Sequence, residues 1–447
     1  MSTAPQDVHT LVVGAGMSGL GYAAFTSADE VLVLEADSDV GGYCKTVCQD
    51  GFTWDYSGHF FHFKHAAIEG WLRERMPAEE VHTIARKACI WYGDRWIDFP
   101  FQKNIHQLPQ DEFLVCLRDL IDRDDDATPP AHFEELLYRR FGRGIAERFL
   151  VPYNEKLYAT SMRSLDVDAM GRFFPWAEAR DIVRHFVEPA ASGYNATFTY
   201  PRGGAIRYVE ALLAEVPQER VRGDEPVIRI DVEQRIAETT KGRYRYRHLV
   251  SSAPFDRLLG LCGLRAPAGT LSANKVLVFN LGFDRKGPRD VHWMYFPQRE
   301  ICFYRIGFYD NIFDESRMSL YVEIGLAADD DPDPSASLAQ VLEDLEGAGI
   351  VAGHKLVAHH HVVLDPAYVH LSSASMRYVG ATRASLAKAG IHSIGRYGAW
   401  TYCSIEDNLV EALTLAAELD WLEGRPPHPL ATALGRTPAQ LALPEAP

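Results

Sequence analysis

The chain has 447 residues, room for about three domains at ~150 residues each. Its 47% hydrophobic and 24% charged residues are those of a globular protein and exclude a disordered or fibrous one. Lys and Arg number 45 against 61 Asp and Glu, a net charge of −16. Nucleic acid and anionic lipid are therefore not expected partners, whereas a small anionic ligand stays open wherever arginines gather.

Residues 1–10 carry no Lys or Arg, and the apolar run that follows is broken by Gly14, Gly16 and Gly19, so no signal peptide is expected. No stretch approaches the ~18 uninterrupted apolar residues of a membrane span, and the expected location is the cytoplasm. The seven cysteines (Cys44, Cys48, Cys89, Cys116, Cys262, Cys302, Cys403) are scattered and none forms a C-x-x-C pair. Reduced thiols are expected, and no metal site. The run His359-His360-His361 alternates faces on a strand, and no obvious third ligand lies beside it.

In chain order, 8–13 is an apolar run, 14–19 a glycine turn, 20–27 a helical pattern and 31–34 a second strand. From about 106 to 188 the period becomes helical, with Phe113, Cys116, Leu117 and Leu120 on one face and Phe133, Leu136, Leu137 and Phe141 repeating it. Residues 275–363 read as strands. The acidic runs 122–130 and 329–334 are expected to be solvated loops. A strand at 390–394, a glycine turn and a helix over 407–422 follow, then a Pro- and Ala-rich stretch expected to be a loose tail.

Gly14-Ala15-Gly16-Met17-Ser18-Gly19 fits G-x-G-x-x-G directly after a strand and at the opening of a helix. The first glycine permits the tight turn, the second lets a pyrophosphate approach the backbone, and the third packs helix on strand. The helix N-terminus adds amide donors and a positive dipole. Glu35 ends the second strand, where a carboxylate can accept from a ribose diol. Gly41-Gly42 shortly after it is an arrangement of FAD-binding rather than NAD-binding folds. FAD is the expected cofactor. The expected fold is α/β: a split Rossmann-like FAD-binding domain (1–80, 196–274 and 385–424) with a helical insertion (81–195, mainly helical, on the substrate side). An antiparallel β-sheet domain (275–384) and a tail (425–447) complete it.

Further segments resemble the UDP-galactopyranose mutase family, closer to its eukaryotic-type branch, over most of the chain from residue 8 to about 422. Asp55-Tyr56-Ser57-Gly58-His59 is similar to that family's histidine loop beside the flavin, and residues 96–104 to its W-x-x-[YF]-P-F-Q-x-N stretch. Residues 144–158 resemble its G-I-A…PYN-x-K segment, and 195–204 its N-A-T-F…P-x-GG turn. Residues 293–305 resemble its W-x-Y-F-P…F-Y-R, and 395–402 its G-R-[FY]-G-x-W-x-Y.

The resemblance implies interconversion of the pyranose and furanose forms of a nucleotide sugar, by default UDP-galactopyranose and UDP-galactofuranose. It implies reduced FAD as the active form, with flavin N5 as nucleophile at the anomeric carbon and no net redox change. NAD(P)H or another reductant would supply the electrons. Arg305, Arg172 and His59 are implied as catalytic: Arg305 as the cation for the diphosphate, Arg172 as the arginine of the mobile substrate flap, and His59 as the histidine by the flavin. Phe99, Phe101 and Gln102 are implied at the nucleobase, two aromatics at i and i+2 sharing a side of an extended segment. Asn154, Tyr158, Asn195, Trp293, Tyr295, Tyr368, Tyr402 and Glu406 are implied around sugar and diphosphate. Gly14, Gly16, Met17, Ser18, Gly19, Glu35, Gly41, Gly42, Gly58, His59, Gly395 and Arg396 are implied at the cofactor.

The chain departs from the family pattern at Ser57 (usually Gly), Phe99 (a common Tyr), Tyr158 (Trp), Val369 (Pro) and Glu406 (Asp or Asn), which leaves sugar and base undecided. The rival reading is an FAD-dependent oxidoreductase of the amine-oxidase and protoporphyrinogen-oxidase type, which would consume an electron acceptor. A third is a flavin-loaded protein that binds a nucleotide sugar without turning it over. The oligomeric state is left open.

Overall fold

The first strand, Gln6–Val13, starts polar and exposed and ends in the buried run Leu11-Val12-Val13, as a parallel strand covered on both faces there must. The computed structural model describes residues 4–76, 78–123, 128–188 and 196–438. Strand Gln6–Val13 pairs in parallel with Val31–Leu34 on one side and Arg243–Ser251 on the other. Strand Ile391–Ser393 adds in parallel beside Arg243–Ser251, so the returning segment closes the same sheet. Helix Met17–Phe25 lies close against Ile405–Leu422, where a Cβ on Gly21 would stand 3.1 Å from Leu409. Small residues on one helix face allow that approach.

A second seven-stranded sheet runs in the order Leu356–Leu364, Lys275–Phe283, Ser319–Leu326, Arg305–Phe308, Trp293–Tyr295, Ala88–Tyr92, Arg95–Asp98. Its faces separate by the two-residue period of strands. Leu320 and Val322 pack with Val341 and Leu345 of helix Pro334–Gly347. Tyr321 and Glu323 turn the other way, toward the Rossmann-like part.

The segment expected to be mainly helical therefore begins as strand. Ala88–Tyr92 and Arg95–Asp98 extend the second sheet through a parallel pairing with Trp293–Tyr295, and Val81–Ala85 pairs with Thr197–Pro201. Ala88–Tyr92 and Arg95–Asp98 form a local hairpin, but the pairings of Ala88–Tyr92 and Val81–Ala85 to the rest of the fold use partners far away in the chain, which a local period does not reveal. Helices follow at Gln110–Ile121, Phe133–Ile145, Val151–Tyr158 and Ala179–His185. The second acidic run is the exposed loop expected, whereas the supposed tail differs from expectation. Asp333 in the second acidic run caps helix Pro334–Gly347, its carboxylate accepting from Ser335 N at 2.9 Å. The supposed tail carries helix Pro429–Ala433, with Leu430 and Ala431 buried. Residues 124–127 and 439–447 lie outside the described residues. Among the described residues no helix is long and apolar enough to cross a membrane.

Candidate active site

A cavity of about 680 Å³ runs from the glycine turn to the inner face of the second sheet. Gly14, Gly16, Met17, Ser18, Glu35, Gly41 and Gly42 line one end. Gly14 sits at φ +99°, a conformation that only glycine takes without strain. A Cβ on Gly19 would lie 1.9 Å from the Gly14 carbonyl oxygen, so the third glycine is required by packing. At Gly16 nothing stands nearer than 3.7 Å, and as N-cap of Met17–Phe25 it supplies no side-chain hydrogen bond. The first amides of that helix are thus left for an anion. Gly41 N donates to Ala15 O at 2.8 Å, which brings the second glycine pair onto the turn. Glu35 accepts from Ala15 N at 2.7 Å and from Asp37 N at 3.1 Å while still facing the cavity. The bare glycine edge, the uncapped helix and the carboxylate together fit FAD: pyrophosphate on the turn, ribose at Glu35.

The other end is aromatic and cationic. Arg305 and Glu323 stand directly opposite each other on adjacent antiparallel strands. Arg305 Nε reaches Glu323 Oε2 at 2.6 Å and Nη2 reaches Oε1 at 2.9 Å, a bidentate pair whose carboxylate is 1% exposed. Burial raises the Glu323 pKa, but the Arg305 charge and its hydrogen bonds more than offset this, holding it below the usual range. Ser57 donates its hydroxyl to the same Oε1. The histidine loop beneath it is anchored at Asp55, which accepts from Thr46 Oγ1 (2.6 Å), Tyr200 OH (2.9 Å) and Ala205 N (3.0 Å). Burial pushes that carboxyl up to about 7.

His59 follows in the loop. Burial, with Arg396 and Arg305 nearby, lowers it to about 4, so its imidazole is neutral at physiological pH, and Nδ1 has no protein partner among the described residues. Arg396 Cζ lies 4.5 Å over Tyr402 and 5.2 Å over Tyr368, rings that stack at 5.9 Å, and Arg396 Nη1 donates to Cys403 O. No ion pair holds Arg396 among the described residues. Burial raises the phenols of Tyr304 and Tyr368, which stay protonated.

Of the expected site residues, Gly14, Gly16, Met17, Ser18, Glu35, Gly41, Gly42, Gly58, His59, Arg305, Tyr368, Tyr402, Gly395 and Arg396 line this cavity. The others do not. Phe101 is core, stacked on Phe149 at 5.2 Å, and the buried Gln102 amide donates to Pro175 O. The chain turns into a single 3₁₀ turn at Phe101–Lys103, so the rule for extended segments fails there. Phe99 carries Tyr295 stacked at 4.8 Å and the Arg86 guanidinium at 4.9 Å. Trp293 donates to Tyr295 OH at 2.6 Å, and both are buried beside the cavity rather than in its wall. Asn154 donates to Leu150 O, and Tyr158 packs on Tyr368 at 5.6 Å. Glu406, expected near the sugar, has a carboxylate that accepts from the amides of Lys64 and His65 at 2.9–3.1 Å, at the start of helix Ala66–Glu74. Asn195 lies outside the described residues, as does the side chain of Arg172, whose backbone is in the turn Gly171–Phe173.

Glu323, Tyr304 and Asn408 also line the cavity, and sequence reasoning did not assign them. Glu323 carried a signal, as the lone carboxylate in the apolar strand Ser319–Leu326. Among the described residues one group with metal-ligand atoms in reach is His9, His248 and Glu423. Its carboxylate is already held by Arg247 (2.8 Å) and Arg425, which opposes a further cation.

The chain belongs to the family of flavin-containing amine oxidoreductases, whose model matches residues 23–419. FAD is its cofactor. Its fold is similar to that of reduced UDP-galactopyranose mutase, with a TM-score of 0.83 and 24% identity over 93% of this chain and 96% of that one. A protein provisionally assigned as a protoporphyrinogen oxidase from Exiguobacterium sp. 255-15 gives a TM-score of 0.73 and 16% identity over 94% and 100% of the two chains. Cyclohexylamine oxidase from Brevibacterium oxydans IH-35A gives 0.62 and 14% over 93% and 100%. The inactive all-trans-retinol 13,14-reductase of Danio rerio is 42% identical over 53 residues, 11% of this chain and 9% of that protein's length.

Proposed function

We propose that this flavoprotein is a mutase that exchanges the pyranose and furanose rings of a nucleotide sugar, with UDP-galactose the first substrate to test. The observation that carries this reading is the charge at the substrate end of the cavity. Two half-buried guanidiniums, Arg305 and Arg396, face one carboxylate, Glu323, and the phenols of Tyr304, Tyr368 and Tyr402 complete the wall. In a low-dielectric cavity that excess of positive charge attracts a diphosphate and repels the ammonium of an amine substrate. The likeness to UDP-galactopyranose mutase supports the same choice within the family.

Reduced FAD supplies a nucleophilic nitrogen for the anomeric carbon, with no net redox change. The protein's own groups hold what leaves. Arg305 uses Nε and one Nη2 proton on Glu323 and turns its remaining N–H groups to phosphate oxygens. Tyr304 and Tyr368, kept protonated by burial, are O–H donors to the same oxygens. Arg396, which has no carboxylate partner among the described residues, adds the countercharge for a ligand anion. His59 is a neutral imidazole that can donate at one nitrogen and accept at the other. Glu323, held ionised by Arg305, orients the guanidinium and delivers no proton. NAD(P)H or another reductant would keep the flavin reduced, and the cytoplasm would supply both.

The test is an anaerobic assay of dithionite-reduced protein with a panel of nucleotide hexoses, beginning with UDP-galactopyranose and UDP-galactofuranose, products being resolved by chromatography and NMR. Ring exchange with reduced but not oxidised flavin is expected, and the panel names the sugar. No exchange with any member while FAD stays bound, together with substrate-dependent oxygen uptake, would overturn the mutase in favour of an oxidoreductase.

A further inference from the structure

Ser57 stands at a junction that the proposed chemistry leaves unused. It is buried, and its hydroxyl donates to Glu323 Oε1, the oxygen that also takes Arg305 Nη2 at 2.9 Å. Its carbonyl accepts from His59 N at 2.7 Å and from Tyr309 OH at 3.2 Å. At the next residue, Gly58, a Cβ would lie 2.3 Å from Tyr321 OH, so the loop backbone is pressed onto the face of the second sheet that carries Glu323. The loop is thus anchored at its base by Asp55 and, one turn of chain later, hangs from the Glu323–Arg305 pair by a single side-chain hydroxyl.

We propose that Ser57 is a positioning residue that registers the Ser57-Gly58-His59 loop on the Arg305–Glu323 pair, so that an anion gripping Arg305 is felt at the flavin. This rests on the reading of Arg305 as the diphosphate cation. A buried carboxylate must keep hydrogen-bond donors, because leaving it unpaired is costly. Glu323 now has three, two from Arg305 and one from Ser57. When a phosphate oxygen competes for the guanidinium, the Ser57 hydroxyl is the donor that lets Arg305 loosen its hold. The same bond keeps the loop, and His59 with it, against the sheet as the anion arrives. Without the hydroxyl, Arg305 stays clamped on Glu323, anion binding must break that clamp, and the loop loses its tie.

The experiment uses the FAD-loaded full chain as wild type, Ser57→Ala and Ser57→Thr, titrated with UDP and with inorganic diphosphate. Binding is followed by calorimetry and by the absorption spectrum of the bound flavin, and the flavin midpoint potential is measured without ligand. A hydrogen bond to a charged group sets the scale, so Ser57→Ala should bind both anions roughly tenfold more weakly. Its flavin spectrum should change less at saturation and its ligand-free potential should be displaced. Ser57→Thr, which keeps the hydroxyl, should restore all three. Wild-type affinity and a wild-type spectral change in Ser57→Ala would overturn the proposal. If wild type itself binds neither anion, the diphosphate reading of Arg305 fails instead. The tie between Ser57 and the loop is then decided by the ligand-free potential, and an unchanged value in Ser57→Ala sinks it.

Discussion

Replacing Glu323 by Gln takes away the carboxylate that pairs with Arg305 while keeping the shape of the side chain. Removing one partner of a buried ion pair costs roughly 3–5 kcal/mol, because the other charge is left buried without compensation. At about 2.1 cal/mol/K per residue, the melting entropy of a chain this long is roughly 0.9 kcal/mol/K, so the melting temperature should fall by about 3–5 °C. Affinity should move the other way. A phosphate on the far side of the guanidinium lies about 6 Å from the carboxylate, which repels it by roughly 3 kcal/mol at an effective dielectric constant of ~20. UDP should therefore bind Glu323→Gln more tightly, by up to about a hundredfold, and raise its melting temperature more than it raises that of wild type. Both quantities come from thermal unfolding of the FAD-loaded protein with and without UDP, after flavin content has been checked by absorbance. A variant that melts within about 1 °C of wild type and shows the same UDP shift would refute the argument that Glu323 compensates a buried Arg305.

Arg305→Ala should retain FAD and lose turnover by a factor on the order of 10² to 10³ in steady-state assays; near-normal turnover would remove Arg305 from the mechanism. Gly19→Ala should emerge from purification with little flavin absorbance per protein, since its Cβ would meet the Gly14 carbonyl at 1.9 Å. Gly70→Ala, in helix Ala66–Glu74 with open space around it, should keep full flavin content and gain about 0.5–1 kcal/mol in stability. His292 accepts from Lys87 N at Nδ1 (3.0 Å), and burial lowers it to about 4. The folded state therefore resists a proton that the unfolded state takes up near 6.5, so stability is intact above pH 6.5 and is lost as pH falls toward 4, by roughly 3 kcal/mol. His292→Asn, which keeps an acceptor but does not titrate, should lessen the slope of melting temperature against pH over that window, while His59, also lowered to about 4, keeps part of it; an unchanged slope would exclude His292 as a contributor.

Much of the Rossmann-like part was legible in the sequence because its rules are local. The turn 14–19, the strand Val31–Leu34 and the helix Ile405–Leu422 follow from spacing within one or two turns of chain. Convergence of Arg305, Tyr368, Tyr402 and Arg396 on one cavity was expected only through resemblance, since nothing in the spacing of these residues brings them together. Where local rules were pushed across a bend they failed. Phe99 and Phe101 would share a side of an extended strand, but a turn begins between them and sends Phe101 into the core. The two backbone amides that Glu406 reaches from the start of its helix were not legible either, since they belong to a segment more than three hundred residues earlier.

By itself the sequence determined the cofactor class, because a pyrophosphate site made of glycine amides and a helix end lies within one short segment. It also determined the period of each strand, and with it the candidates for an inward face. Only the tertiary structure decided that Glu323 answers Arg305, that Ser57 joins them, and that Arg396 stands over Tyr402 and Tyr368. Those facts depend on the register of two strands and on a loop laid across them. Register is set by burying both faces of the sheet at once, a condition on the whole fold that no single stretch of the chain can state.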